Sequence, residues 1–247
     1  MGRMGAQVLA EALGTVWIIR ACPVARTVTP FCPAMTYNEG DLRRLGHWAA
    51  KCAGRVLPLF EAQVPADDRP RAALAGVRAY ARGGKRTNHL RRLIWAAMAA
   101  AREAYEPAAI AAARAAYSAA SVAFMHARYT PGQEKHALGA AMYAALACEL
   151  SAGNSAAADS EIRWAIRHAS PAVRTIVRRL PPRKPGRSCQ DMLYHQLDAG
   201  LRGESGLVMD NQRRRRQTGT AMNSRTGRSA DRRVTRPRGV CRSGANF

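Results

Sequence analysis

The sequence predicts an all-α fold, and three observations carry that prediction. Apolar residues recur at alternating steps of three and four, which places them on single helical stripes. Start and stop signals punctuate these stripes, with aspartate or proline at the openings and glycine at the ends. No stretch alternates apolar and polar residues with period two for long enough to propose a strand. The most alanine-loaded part, residues 86–128, consists of two runs joined at Glu106-Pro107. Alanine favours a helix but buries little surface of its own, so these runs must lie close against neighbours. The expected architecture is six or seven helices packed as antiparallel pairs, either a compact bundle or a short right-handed stack of helical hairpins.

Residues 1–34 read as an irregular N-terminal extension. Val8 to Ile19 could make a short helix, but Cys22-Pro23, Pro30 and Cys32-Pro33 interrupt any continuation. The apolar run from Ala6 to Ile19 is too short to span a bilayer and contains Glu11. Met35 then opens a well-formed helical pattern, and the functional product is expected to begin there.

The first helix is expected from Glu39 or Asp41 to Gln63, with Leu42, Leu45, Ala49, Cys52, Val56 and Leu59 on one stripe widened by Trp48 and Phe60. Pro58 lies inside it and predicts a kink rather than a break. The second opens at Asp67-Asp68-Arg69-Pro70, an aspartate N-cap with proline in the first turn, buries Leu74, Val77 and Ala81, and stops at Gly83-Gly84. The third spans Thr87 to Tyr105 through Leu90, Ile94, Ala97, Ala101 and Ala104. The fourth begins at Pro107 and carries Ile110, Ala113, Tyr117, Ala120 and Phe124 to about Arg128. A fifth runs from near Pro131 to Leu150, a sixth from Ala156 to His168, and a last one from Pro171 to Leu180. Pro181-Pro182 then stops regular structure. Residues 181–247 read as a disordered arginine-rich tail, in which Gln190 to Leu201 could form an isolated helical turn or two.

The formal net charge is +22, and the last 67 residues hold 15 basic against 5 acidic side chains. Such a balance points to nucleic acid or another polyanion as partner. Only four of the basic residues are lysine, which a GC-rich genome would equally produce. Both causes stay open. Six cysteines without a CxxC spacing give no disulfide or zinc signature, and a cytoplasmic protein with reduced Cys52 and Cys148 is the default reading.

Catalytic and cofactor patterns are sparse. The histidines, His47, His89, His126, His136, His168 and His195, form no HExxH, and no GxSxG or complete phosphate-binding loop occurs. The expectation is therefore no catalytic residue, no metal and no cofactor. His126 and His136 flank one turn and could face each other. Asp67 and Asp68 read as a helix cap with a local ion-pair cluster around Arg69 and Arg71. The arginine row Arg86, Arg91, Arg92 and Arg102 reads as a solvated face without interleaved aromatic rings, since Trp95 lies close to the apolar stripe.

Three ordered blocks resemble the bacterial putative immunity proteins of the type-five immunity-like family. They are Trp48 to Gly83, with its LPLFE (Leu57 to Glu61) and DDRPR (Asp67 to Arg71) segments, then Lys135 to Ala147, then Glu161 to Val177. Lys51 and the segment from Arg128 to Gly132 depart from the family pattern. The resemblance implies an alanine-rich helical domain over residues 35–180, no enzymatic activity, and a cognate protein toxin as partner. Asp67, Asp68, Arg69, Arg71, Arg163 and Arg167 are the candidate partner-binding residues. A nucleic-acid-binding helical protein is the alternative.

Overall fold

The computed structural model describes residues 36–128 and 132–204. Along them run α1 Glu39–Gln63, α2 Arg69–Ala81, α3 Asn88–Glu103, α4 Pro107–Ser121, α5 Gln133–Ala152, α6 Ser155–Arg167, α7 Pro171–Arg179 and α8 Cys189–Arg202. Extended pairing among the described residues is confined to one antiparallel bridge, Thr36 with Arg128. The protein is all-α. The N-terminal extension, Pro131 and the chain beyond Glu204 lie outside the described residues.

The helix starts follow local chemistry. Asn38 and Asp41 form a reciprocal capping box at α1, the Asp41 N–H donating to Asn38 Oδ1 at 2.8 Å. Thr87, Asn154, Ser170 and Ser188 cap α3, α6, α7 and α8 through side-chain oxygens. At the end of α2, Gly83 takes φ +117°, so the Gly84 N–H reaches the Ala79 carbonyl and the Gly83 N–H that of Tyr80. A side chain there would strain the backbone, which is why glycine stands at this stop. Helix α1 continues through Pro58 to Gln63.

Two helices form the centre. Helix α4 packs against α1, α2, α3 and α5, and α5 packs also against α6 and α8. On α4, Ala109, Ala112, Ala113, Ala115, Ala116, Ala119 and Ala120 are all fully enclosed. A helix surrounded by four others buries most of its circumference, and the small side chains there let the neighbouring axes approach. This corrects the single stripe expected for it, because Ile110, Tyr117 and Phe124 are only partly buried.

The same helix also ends earlier than its pattern predicts. It stops at Ser121, gives one 3-10 turn over Val122–Phe124, and passes into extended chain at Met125. Leaving the helix lets Arg128 meet Thr36 and places the Ala127 carbonyl 2.7 Å from the Tyr37 N–H. Those partners are about ninety residues distant in sequence, and periodicity does not encode them.

The start of the tail is also corrected. Residues 183–204 are part of the packed structure: on α8, Leu193, Leu197 and Leu201 are fully buried and Tyr194 is 6% exposed. Arg183 pins the approach to this helix. Its guanidinium reaches Glu134 at 3.4 Å and Asp191 at 3.2 Å and lies 4.7 Å from the Tyr194 ring centroid, while its backbone N–H donates to Asp198. At the other end of α8, Arg202 donates to the Val177 and Leu180 carbonyls at 2.9 and 2.8 Å, satisfying the exposed end of α7.

Candidate functional site

The aspartate-arginine turn lies between α1 and α2. Of the two aspartates, Asp67 accepts the Arg69 backbone N–H at 3.0 Å, and Asp68 makes no side-chain cap. The Arg69 guanidinium holds Asp67 at 2.7 Å and also engages Glu103 at the end of α3. Arg71 pairs with Glu61 at 2.6 Å. Most of this charge is therefore matched within the fold, and it ties α2 to α1 and α3.

Hydrogen bonding to Arg69 lowers the Asp67 carboxyl below its ordinary value of 3.8, and that of Glu103 below 4.5. Carboxylates depressed in the folded state contribute stability above those values, and the contribution is lost as pH falls through the folded ones. Replacing Arg69 with methionine is expected to lower the melting temperature at pH 7 by a few degrees, and by less at pH 3, below the ordinary values of both carboxyls, where the unfolded chain takes up the protons. Thermal melts at the two pH values test this, and an equal loss at both would refute it.

Arg163 and Arg167 lie on α6, which meets the middle of α1. The Arg55 Nε donates to both Glu161 oxygens at 2.8 and 3.0 Å, and the Trp48 Nε1 donates to the Ala165 carbonyl at 3.0 Å. Ascending positions on α6 thus meet descending positions on α1, so the two helices run antiparallel. The end of α6 lies near Trp48, about 22 Å along the axis from Gln63 and the aspartate-arginine turn. The six candidate residues do not form one patch. Two arginines of α7 nearby are engaged in the fold: Arg174 donates to the Ile166 carbonyl at 2.5 Å, and Arg179 pairs with Asp41 at 3.1 Å. Arg167 is exposed and Arg163 half-buried.

A cleft of about 590 Å³ opens instead between α3, α4 and the start of α5. Arg91 and Trp95 of α3, Tyr117 and Ser121 of α4, Phe124, His126, Lys135 and His136 line it. Trp95 is 59% exposed, which corrects its assignment to the apolar stripe. It sits one position past Ile94, and the turn of the helix carries it out of the core. The Arg91 guanidinium lies 4.7 Å from the Phe124 ring centroid, and Trp95 meets Tyr117 at 6.3 Å. One member of the arginine row, Arg91, is therefore set beside aromatic rings. Spacing alone hid this, because Tyr117 and Phe124 arrive from another helix.

His126 and His136 do face the same cleft. Desolvation by the walls lowers the His136 imidazole below its ordinary value; His126 and Lys135 push the same way and Glu134 opposes them. The Ser121 hydroxyl is committed to the Tyr117 carbonyl at 2.8 Å. No cluster of three or more His, Cys, Asp or Glu side chains suited to a metal occurs among the described residues. Burial pushes the Cys148 thiol up to about 11 and that of Cys52 higher still, so neither supplies a thiolate near neutral pH. None of the described helices is long and apolar enough to cross a membrane.

No curated protein and no solved structure matches the chain. A family model does: Imm-5 like putative immunity protein, over residues 35–172. That span takes in α1 to α6, the central alanine helices and the whole of the cleft. The match covers more than half of the sequence, and the chain belongs to the Imm-5 like putative immunity protein family.

Proposed function

We propose that this protein is a cytoplasmic, non-enzymatic binding protein that neutralises a cognate protein toxin by covering its active surface. Membership of an immunity-like family over the helical scaffold carries this reading. The commitment of the Ser121 hydroxyl and the raised thiol pKa values support a role in binding rather than turnover. Affinity in such an interface rests on a few aromatic and arginine anchors, and Trp95 and Arg91 are residues of that kind on the surface. Co-expression with the product of an adjacent toxin-like gene tests it. Protection of the host and co-purification of the two proteins are expected, and the absence of both would overturn the reading.

A second reading, nucleic-acid binding, is favoured by the net charge of +22 and by an exposed tryptophan beside arginine. It predicts DNA or RNA retention that falls steeply between low and moderate salt and survives deletion of residues 205–247. Deletion from residue 181 would not serve, because it removes α8.

A further inference from the structure

We propose that the cleft lined by Arg91, Trp95, Tyr117, Phe124 and Lys135 docks an acidic segment of a protein partner, a stretch that inserts one aromatic or aliphatic side chain and flanks it with carboxylates. This rests on the reading of the chain as a protein-binding molecule and names where the partner is held.

Charge and the state of the rings carry the inference together. Arg91 and Lys135 bring two permanent cations to the cleft, and among the described residues no carboxylate lines it. Elsewhere on the described surface cations are repeatedly matched: Arg43 by Glu39, Arg55 by Glu161, Arg69 by Asp67 and Glu103, Arg179 by Asp41. The cleft is where positive charge and apolar surface coincide without that internal match. Arg91 is also held in position by its place over Phe124, so its planar fork loses less freedom when it meets a carboxylate.

Trp95 supplies the apolar surface. The other described tryptophans are occupied: Trp48 is buried with its indole N–H bonded to Ala165, and Trp164 is stacked on His168 at 4.0 Å with Arg55 at 4.2 Å. A large ring left 59% exposed beside a cleft is apolar surface that a partner's side chain can cover.

Shape favours a side chain over a nucleic-acid strand. Binding along a strand needs several open rings in series. Here Phe124 is covered by Arg91 and Tyr117 is turned 44° against Trp95, so one open ring stands over a cleft of about 590 Å³. That room suits an anchor and its neighbours.

The test pans a random-peptide phage library against the full chain and then measures the enriched peptides by fluorescence titration. Enrichment of Asp- and Glu-rich peptides with a single apolar anchor is expected. Trp95→Ala and Arg91→Glu should each weaken them by about tenfold or more, and Arg178→Glu on the exposed side of α7 should not. Both cleft positions are solvent-exposed, and circular dichroism confirms that the variants fold; Lys135→Glu serves as a third variant. Peptides without acidic bias, no enrichment, or binding indifferent to the cleft variants would overturn the proposal. So would an oligothymidine that binds with the same dependence on Trp95 and Arg91, which would assign the cleft to nucleic acid. A toxin found by co-expression that binds the cleft variants undiminished would remove the cleft and leave the immunity reading standing. Acidic peptides that bind the cleft in a protein that protects against no toxin would do the reverse.

Discussion

Ending the chain after Pro182 is expected to abolish its cooperative thermal transition, whereas ending it after Glu204 preserves one. The shorter form loses α8 and with it the burial of Leu193, Tyr194, Leu197 and Leu201. Side chains of this kind contribute about 1.5–3 kcal/mol each on burial, and the chain entropy of ordering α8 offsets part of that sum. The remainder is large against a typical total stability of about 5–15 kcal/mol. The truncation also uncovers the α5 face where the Tyr194 hydroxyl donates to the Lys135 carbonyl at 3.2 Å, and it strips Arg202 from the last carbonyls of α7. A fall in melting temperature of about 10 °C or more, or loss of a sharp transition, is expected by circular dichroism. Identical melts for the two truncations would show that α8 contributes nothing to stability. The family match ends at residue 172, so this stabilisation comes from outside the matched region.

Gly139→Leu is expected to have the second large effect. Gly139 is buried on α5 where it faces α4 and α8, and an added Cβ would lie 3.0 Å from Ser118 Oγ and 3.4 Å from the Tyr194 hydroxyl. Alanine there gains about 1 kcal/mol of helix propensity against contacts that are tight but at their limit, so Gly139→Ala should sit close to wild type. Leucine adds three further carbons with no space to receive them. Overpacking in a close-packed core costs about 1–3 kcal/mol and occasionally more, and the upper part of that range is expected because two helices must retreat together. Denaturant melts of the pair check this. A leucine variant as stable as the alanine one would mean that the α4, α5 and α8 contacts are looser than these distances indicate.

Much of the helical layout was legible before any coordinates. The first helix begins at Glu39, one of the two starts expected, and ends at Gln63, and Gly83-Gly84 ends the second. These are local events, decided by hydrogen bonds between residues three to five apart. The early end of α4 was not legible, because it is set by the Thr36 to Arg128 bridge. Nor was the incorporation of α8. Its leucines at steps of four sit in a basic, proline-led segment, and a helix of that length needs the contacts of Arg183 with Glu134 and Asp191 to hold it against the core.

The candidate site divides along the same line. The aspartate-arginine turn was readable as a helix opening with its own ion pairs, though not that Asp67 rather than Asp68 would take the backbone N–H. Of the cleft, only the approach of His126 and His136 was readable, since Arg91 and Trp95 acquire Tyr117, Phe124 and Lys135 as neighbours only when α3, α4 and α5 pack.

By itself, then, the sequence determined the fold class, the helices of the central region and the family, because helix periodicity, capping and ordered motif blocks are carried by residues close together in the chain. Only the tertiary structure decided that α4 and α5 form the interior, that α8 completes it, and that Trp95 faces outward beside Arg91 and Lys135. Burial and electrostatic matching depend on residues that folding brings together from distant parts of the chain.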